Sequence, residues 1–252
     1  MSSRVLLLKT AAAMVCLLAF CPIALKCYAA EETTHKSELR KFEKDVCKKA
    51  SVNYLLYLPA AYAQSKDPWP LVLWLHGDGG QENRGGIAEI KSYGPPHMAE
   101  EGKEFPFILL APQLWGDVHW DADILHALLQ EVMHEYRVDA DRVYLMGYSR
   151  GGFGAWELGC SYPDTFAAVV AISGRPMTAV ERLKDCGVWI FHGEEDKGVP
   201  VDGARNMYDG LKSAGGDVRI TVYPGVGHDA CSPAMATKEL WDWLLEQRRK
   251  KK

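Results

Sequence analysis

The chain has 252 residues, with 29 Lys and Arg against 33 Asp and Glu, and a net charge of −4. An acidic balance argues against nucleic acid as the main partner. The length suits one α/β domain that buries its own core without disulfide staples.

Arg4 and Lys9 precede an apolar run over 11–25, and small residues follow at Ala29 and Ala30. A positive start, an apolar stretch and a small-residue cleavage site describe a secretory signal peptide over 1–30. The run is shorter than the roughly 20 apolar residues a spanning helix needs, and Lys26 closes it. A retained membrane anchor is therefore the lesser reading, and none is expected after cleavage. Cys21 and Cys27 follow Phe20 and Lys26, which suit a lipid-attachment site poorly. The segment carries Arg4, Lys9 and Lys26 and no acid, so its removal takes the net charge to −7. A secreted or periplasmic protein is expected, with a loose charged arm over 31–49, a single domain over 50–247 and a solvated basic tail over 248–252.

Four cysteines remain after the leader: Cys47, Cys160, Cys186 and Cys231. Their spacing fits no zinc pattern. In an oxidising compartment an even number suggests pairing. Cys160 with Cys186 is the favoured pair, since one ends a helix and the other precedes a neighbouring strand. Four buried thiols are the alternative.

Apolar runs over 52–58, 71–75, 107–111, 143–147, 167–172, 188–192 and 218–223 read as strands. Most are continuous rather than alternating, as in strands covered on both faces. After the second run comes "LHGDGG", where His76 reads as a loop-holding residue rather than a base. After the third comes "APQ", then Trp115, His119 and Trp120 on a loop that could form an aromatic wall, with core packing as the alternative. Asp121 and Asp123 mark a helix start rather than a metal site. Ile124, Leu125, Leu128, Leu129, Val132, Met133 and Tyr136 then recur at helical spacing. His126 and His134 fall on that helix's surface.

The fourth strand runs into Gly147-Tyr148-Ser149-Arg150-Gly151, a G-x-S-x-G motif between strand and helix. Ser149 is the candidate nucleophile, held in a strained turn that tolerates only small neighbours. A serine hydroxyl needs a base and an orienting acid. Asp196 follows the strand ending at His192, and His228 follows the strand ending at Tyr223. Serine, acid and histidine come in the order this arrangement uses, each on a loop at the same sheet edge. Glu194 and Glu195 are rival acids, with Glu195 the fallback. The N–H of Arg150, with that of Asp78 or secondly Gly79, is the candidate oxyanion hole. Asp78's carboxylate must then point away from the developing charge. Tyr148 joins Trp115 and Trp120 as a candidate substrate contact. Arg150 is expected to meet a substrate carboxylate, or to pair with Glu157 or another acid. His192 reads as structural.

Ala204, Met207, Tyr208 and Leu211 form another amphipathic helix, stopped by Gly215-Gly216. Ser232-Pro233 reads as the cap and first turn of a last helix that buries Leu240, Trp243 and Leu244. Repeated strand–helix–strand units imply an α/β fold, a mostly parallel sheet with helices on both faces.

"PWPLVLWLHGDGG", "FPFILLAPQLW", "DADRVYLMGYSRGGFGAWELGCSYPDTFAAVVAISG", "VWIFHGEEDKGVPV" and "GGDVRITVYPGVGHDA" together resemble a group of α/β-hydrolases. This is the phospholipase/carboxylesterase and prolyl-oligopeptidase-like group of predicted peptidases, bordering on feruloyl and acetyl-xylan esterases. The similarity runs over about 56–247. It implies the α/β-hydrolase fold and Ser149, Asp196 and His228 as the triad. Arg150 stands where the group usually has methionine, and "HDACSPAM" replaces a more aromatic segment.

Only 15 residues separate Ile172 from Val188, where lids are commonly inserted, so no lid domain is expected. An uncovered site admits small esters and acyl groups on a polysaccharide. A secreted serine esterase is the expected function, with acyl-enzyme chemistry and neither metal nor organic cofactor. The alternatives are a serine peptidase on short peptides and a non-catalytic binding protein on the same fold. The patterns leave the oligomeric state open.

Overall fold

The computed structural model describes residues 48–80, 85–114 and 119–250. The signal peptide and nearly all of the charged arm lie outside the described residues, as do Cys47 and Trp115. Residues Lys49–Lys252 form one compact unit.

Seven strands make a single sheet: β1 (Tyr54–Tyr57), β2 (Trp69–Leu75), β3 (Ile108–Pro112), β4 (Val138–Tyr148), β5 (Ala168–Ile172), β6 (Gly187–Gly193) and β7 (Val218–Tyr223). Their order is β1-β3-β2-β4-β5-β6-β7, and only the edge pair β1–β3 is antiparallel. This mostly parallel sheet is the architecture expected from the alternating runs. Side chains alternate across it. Leu71, Leu73 and Leu75 face one core, while Val72 and Trp74 face the other. Both faces are dry, which explains why the strands read as continuous apolar runs.

The first core is covered by α3 (Ala122–Glu135), α4 (Arg150–Ser161) and α5 (Val201–Ser213). Leu125, Leu129 and Val132 of α3 pack there, and so do Ala204, Met207 and Leu211 of α5. Each such leucine contributes roughly 1.5–3 kcal/mol by leaving water. The opposite core takes residues from α1 (Gly86–Ile90), α6 (Cys231–Ala236) and α7 (Lys238–Glu246). The short α2 (Gly94–Glu100) packs against α6. Helices therefore cover both faces, as expected. No helix among the described residues is long and apolar enough to cross a membrane.

Four expectations change. The last helix is two helices, broken at Thr237, whose backbone is extended. Ser232 is not its cap. Asp229 Oδ1 accepts from Ser232 N at 3.1 Å, and Asp229 Oδ2 from the Ser232 hydroxyl at 2.7 Å. Pro233 sits inside the first turn of α6, where its missing N–H leaves no intrahelical bond unmade.

Cys160 and Cys186 are free, buried thiols, as is Cys231, so the expected disulfide is absent. Both side chains face the packed core, where burial raises the thiol pKa, to about 11 for Cys160. The described part of the basic tail, thirdly, is tied down at Arg249. Arg249 donates its backbone N–H to the Asp141 carbonyl at 2.9 Å and its guanidinium to the Asp141 carboxylate at 3.0 Å. Finally, α1 and α2 occupy a stretch whose sequence gave no periodic signal. Both are only a turn or two long, and α2 starts at Gly94 with Pro95-Pro96 in its first turn.

Residues 173–186 between β5 and β6 carry only a 3-10 turn, Val180–Leu183. No lid rises there.

Candidate active site

The sheet brings the ends of β4, β6 and β7 to one edge, and the three candidate residues meet there. Ser149 follows β4 directly and precedes α4, with φ 55° and ψ −115°. A non-glycine residue in that region is strained by about 1–3 kcal/mol, which the surrounding packing must hold. The Ser149 amide donates to the Ile172 carbonyl at 2.8 Å, pinning the turn to the next strand. Behind it, a Cβ on Gly151 would lie 1.8 Å from the Leu75 carbonyl oxygen. Only glycine lets α4 cross the sheet edge so closely, and that places the serine at the crest.

His228 Nε2 lies 2.7 Å from Ser149 Oγ, and His228 Nδ1 lies 2.7 Å from Asp196 Oδ2. Three residues from separate loops thus form one hydrogen-bonded chain. Asp196 is buried, and its other oxygen accepts from the amides of Gly198 and Val199, both at 2.9 Å. Burial alone would raise its pKa. The bonds from Val199, His228 and Gly198 outweigh this and hold the carboxyl below the ordinary range. The rival acids stand elsewhere: Glu194 and Glu195 are exposed, and Glu194 faces Arg205 at 3.8 Å.

The loop after β2 borders the serine. His76 is fully buried; its Nδ1 lies 2.7 Å from the Gly77 carbonyl, and its Nε2 accepts from the Leu114 amide at 3.0 Å. Those partners assign the proton to Nδ1 and the neutral form. Burial is the main cause that lowers its pKa to about 4. His76 therefore holds the loop, as its sequence position suggests. The Asp78 carboxylate is paired: Oδ1 lies 2.7 Å from Arg150 Nη2. Arg150 thus meets Asp78 rather than Glu157.

Trp120 departs from the aromatic-wall expectation. It is buried, edge-on to the His76 ring at 5.0 Å, and a Cβ on Gly154 would meet its indole at 2.6 Å. It fills the core between the loop and α4, so the packing alternative holds. Trp115 lies outside the described residues. Tyr148 is half-buried with its ring 5.6 Å from that of His228, and its hydroxyl donates to the His228 carbonyl at 3.4 Å. Asp121 caps α3, accepting from the amides of Asp123 and Ile124.

Two contributors escaped the sequence reading. The Tyr93 hydroxyl accepts from the Gly77 amide at 3.0 Å, and its ring stands edge-on to Tyr148 at 5.8 Å. The Ser173 hydroxyl donates to the His228 carbonyl at 2.8 Å from a residue with φ 48°. Nothing local to "SYG" or "AISG" announces either role, because each depends on a loop far along the chain. A cavity of about 310 Å³ opens between α2 and α6, lined by Tyr93, Met98, Cys231 and Met235 among others.

A profile of the phospholipase/carboxylesterase family matches residues 116–239. A protein named "Putative esterase NocK" from Nocardia uniformis subsp. tsuyamanensis is 28% identical over 180 residues, 68% of this chain and 49% of its own. Feruloyl esterase B of Neurospora crassa is 26% identical over 198 residues, covering 69% of this chain and 63% of that protein. The chain thus spans about half of the first relative and less than two thirds of the second. A crystal structure of a thermostable esterase superposes with a TM-score of 0.67 at 29% identity, over 79% of this chain and 60% of that one. With its elbow serine on a mostly parallel seven-stranded sheet, the chain has the α/β-hydrolase fold and is similar to the phospholipase/carboxylesterase family over residues 116–239.

Proposed function

We propose that the protein is a serine hydrolase of carboxylic esters. The observation that carries the reading is the continuous chain from Ser149 Oγ through the His228 imidazole to Asp196, with both links at 2.7 Å. Ser149 Oγ attacks the ester carbonyl carbon while His228 Nε2 takes its proton. Asp196 keeps the proton on Nδ1 and stabilises the imidazolium that forms. The oxyanion is received by the N–H groups of Arg150, the first residue of α4, and Asp78, with Gly79 the second choice for the loop donor. The helix N-terminus behind Arg150 favours that negative charge. Collapse of the tetrahedral intermediate expels the alcohol, which takes the proton from His228. Water then repeats the sequence on the acyl-enzyme, releasing the acid and restoring Ser149.

The substrates are small esters or acyl groups on a polysaccharide. The short link after β5 supports this, since residues 173–186 hold one 3-10 turn and no inserted lid. The names of the relatives point the same way. The Tyr93–Met235 cavity beside the site offers an apolar recess for one half of the ester. The enzyme is secreted or periplasmic, with residues 1–30 removed on export.

A fluorophosphonate probe tests the chemistry. Folded protein should label at Ser149, and the Ser149→Ala variant should not; unlabelled wild type would sink the reading. A panel of aryl esters, acetylated or feruloylated xylan and short peptides then sorts the substrate, and preferential cleavage of peptides would overturn the esterase assignment. N-terminal sequencing of exported protein should begin after Ala29 or Ala30; a chain starting at Met1 would refute leader removal.

A further inference from the structure

The two residues proposed to supply the oxyanion N–H groups are also joined through their side chains. Arg150 Nη2 lies 2.7 Å from Asp78 Oδ1, with side chains 22% and 52% exposed. One belongs to the elbow helix and the other to the loop after β2. The two segments also run close together one residue earlier: a Cβ on Gly77 would stand 3.2 Å from the Tyr148 carbonyl oxygen and 3.3 Å from the Ser149 Cβ. The loop has a rigid floor, in which His76 is clasped to Gly77 and Leu114 and the Gly77 amide is bound by the Tyr93 hydroxyl. Asp78 and Gly79 make the turn of that loop.

We infer that the Arg150–Asp78 ion pair is a positioning latch for the oxyanion hole. It does two things. It fixes the separation of the two proposed donors, which must both lie about 3 Å from one oxygen. It also balances the Asp78 carboxylate, whose charge would otherwise oppose the negative oxygen forming beside it. An acidic residue in an oxyanion loop is thereby made compatible with catalysis. Arg150 acts here through Asp78 and is a positioning residue, not one that touches the reacting atoms with its side chain.

The inference rests on the serine-esterase reading, and its test separates the two. Wild-type labelling by fluorophosphonate probes Ser149 alone. Arg150→Met takes one positive charge from the Asp78 carboxylate. It should lower kcat on an aryl ester about tenfold while KM changes less than about twofold, because the hole acts in the transition state. Arg150→Lys should keep part of the activity, since it retains charge but not the guanidinium geometry. Adding Asp78→Asn to Arg150→Met removes the unbalanced charge and should restore kcat to within about threefold of wild type. A merely structural arginine would give no such recovery. The latch is overturned if Arg150→Met turns over like wild type, or if the double variant melts like wild type and stays as slow as the single one. Wild type that labels at Ser149 alongside either result leaves the esterase reading standing.

Discussion

The His192 imidazole is wholly buried, with its Nε2 2.7 Å from the Val199 carbonyl oxygen and 3.5 Å from Asp196 Oδ2. A nitrogen that close to a carbonyl must carry a proton. The ring therefore donates into the same short loop whose amides bind Asp196 Oδ1. It ties the end of β6 to the turn holding the acid. His192→Ala should leave the Val199 carbonyl unpaired inside the core and destabilise the fold by about 2–4 kcal/mol. Urea titration measures this. A midpoint within error of wild type would show that the loop holds itself.

Asp196→Asn keeps the shape of the site but can donate where the carboxylate accepts. The His228 ring would then be driven to the wrong tautomer. Turnover should fall by about 10⁴-fold on the proposed mechanism, as in other serine hydrolases. The same group gives a pH signature. Its folded pKa lies below the ordinary 3.8, so its stabilising effect is complete above that value. It is lost as pH falls through the lower, folded value. Asp196→Asn should therefore flatten the acid end of the melting curve below about pH 4; equal acid sensitivity in both proteins would refute the depressed carboxyl.

Much of this was legible beforehand, for a physical reason. A strand covered on both faces must be apolar throughout, so β2, β3, β5 and β6 announce themselves. The elbow serine is flagged by glycines that close packing demands, and the acid and histidine follow by topology. What stayed hidden depends on long-range placement. The Arg150–Asp78 pair joins positions 72 residues apart, and Tyr93 reaches Gly77 from the bend just before the short α2. Trp120 looked like a wall because an indole after a strand reads alike in a pocket or a core. The thiol pairing failed because lying at a helix end and before a neighbouring strand does not fix the direction of two side chains.

His76 should control part of the acid stability. Its pKa of about 4 in the fold, against 6.5 unfolded, means that the unfolded chain binds the extra proton first. Stability contributed by the neutral ring is complete above pH 6.5 and is lost as pH falls toward 4. The whole window amounts to about 3 kcal/mol. His76→Gln should be less stable than wild type at pH 7 yet lose less on acidification to pH 4.5. Chemical denaturation at several pH values measures both slopes, and parallel curves would contradict the buried neutral imidazole.

The C-terminal tie offers a test remote from the chemistry. Arg249 spans from the Asp141 carboxylate, at 3.0 Å, to the Asp164 carbonyl, at 3.1 Å, while the Tyr144 hydroxyl donates to the Gln247 carbonyl at 3.1 Å. These bonds anchor the segment after α7 beneath the opposite end of β4 from Ser149. The guanidinium is partly exposed and screened by solvent, so the interaction contributes about 1 kcal/mol rather than the value of a buried pair. Arg249→Ala should lower Tm by about 2–4 °C in a domain of this size. Fluorophosphonate labelling of Ser149 should proceed at the wild-type rate, because no residue of the tie is Ser149, Asp196 or His228. An unchanged Tm would mean that the tail is a solvated end after all, while slowed labelling would mean that β4 transmits strain along its length to the elbow.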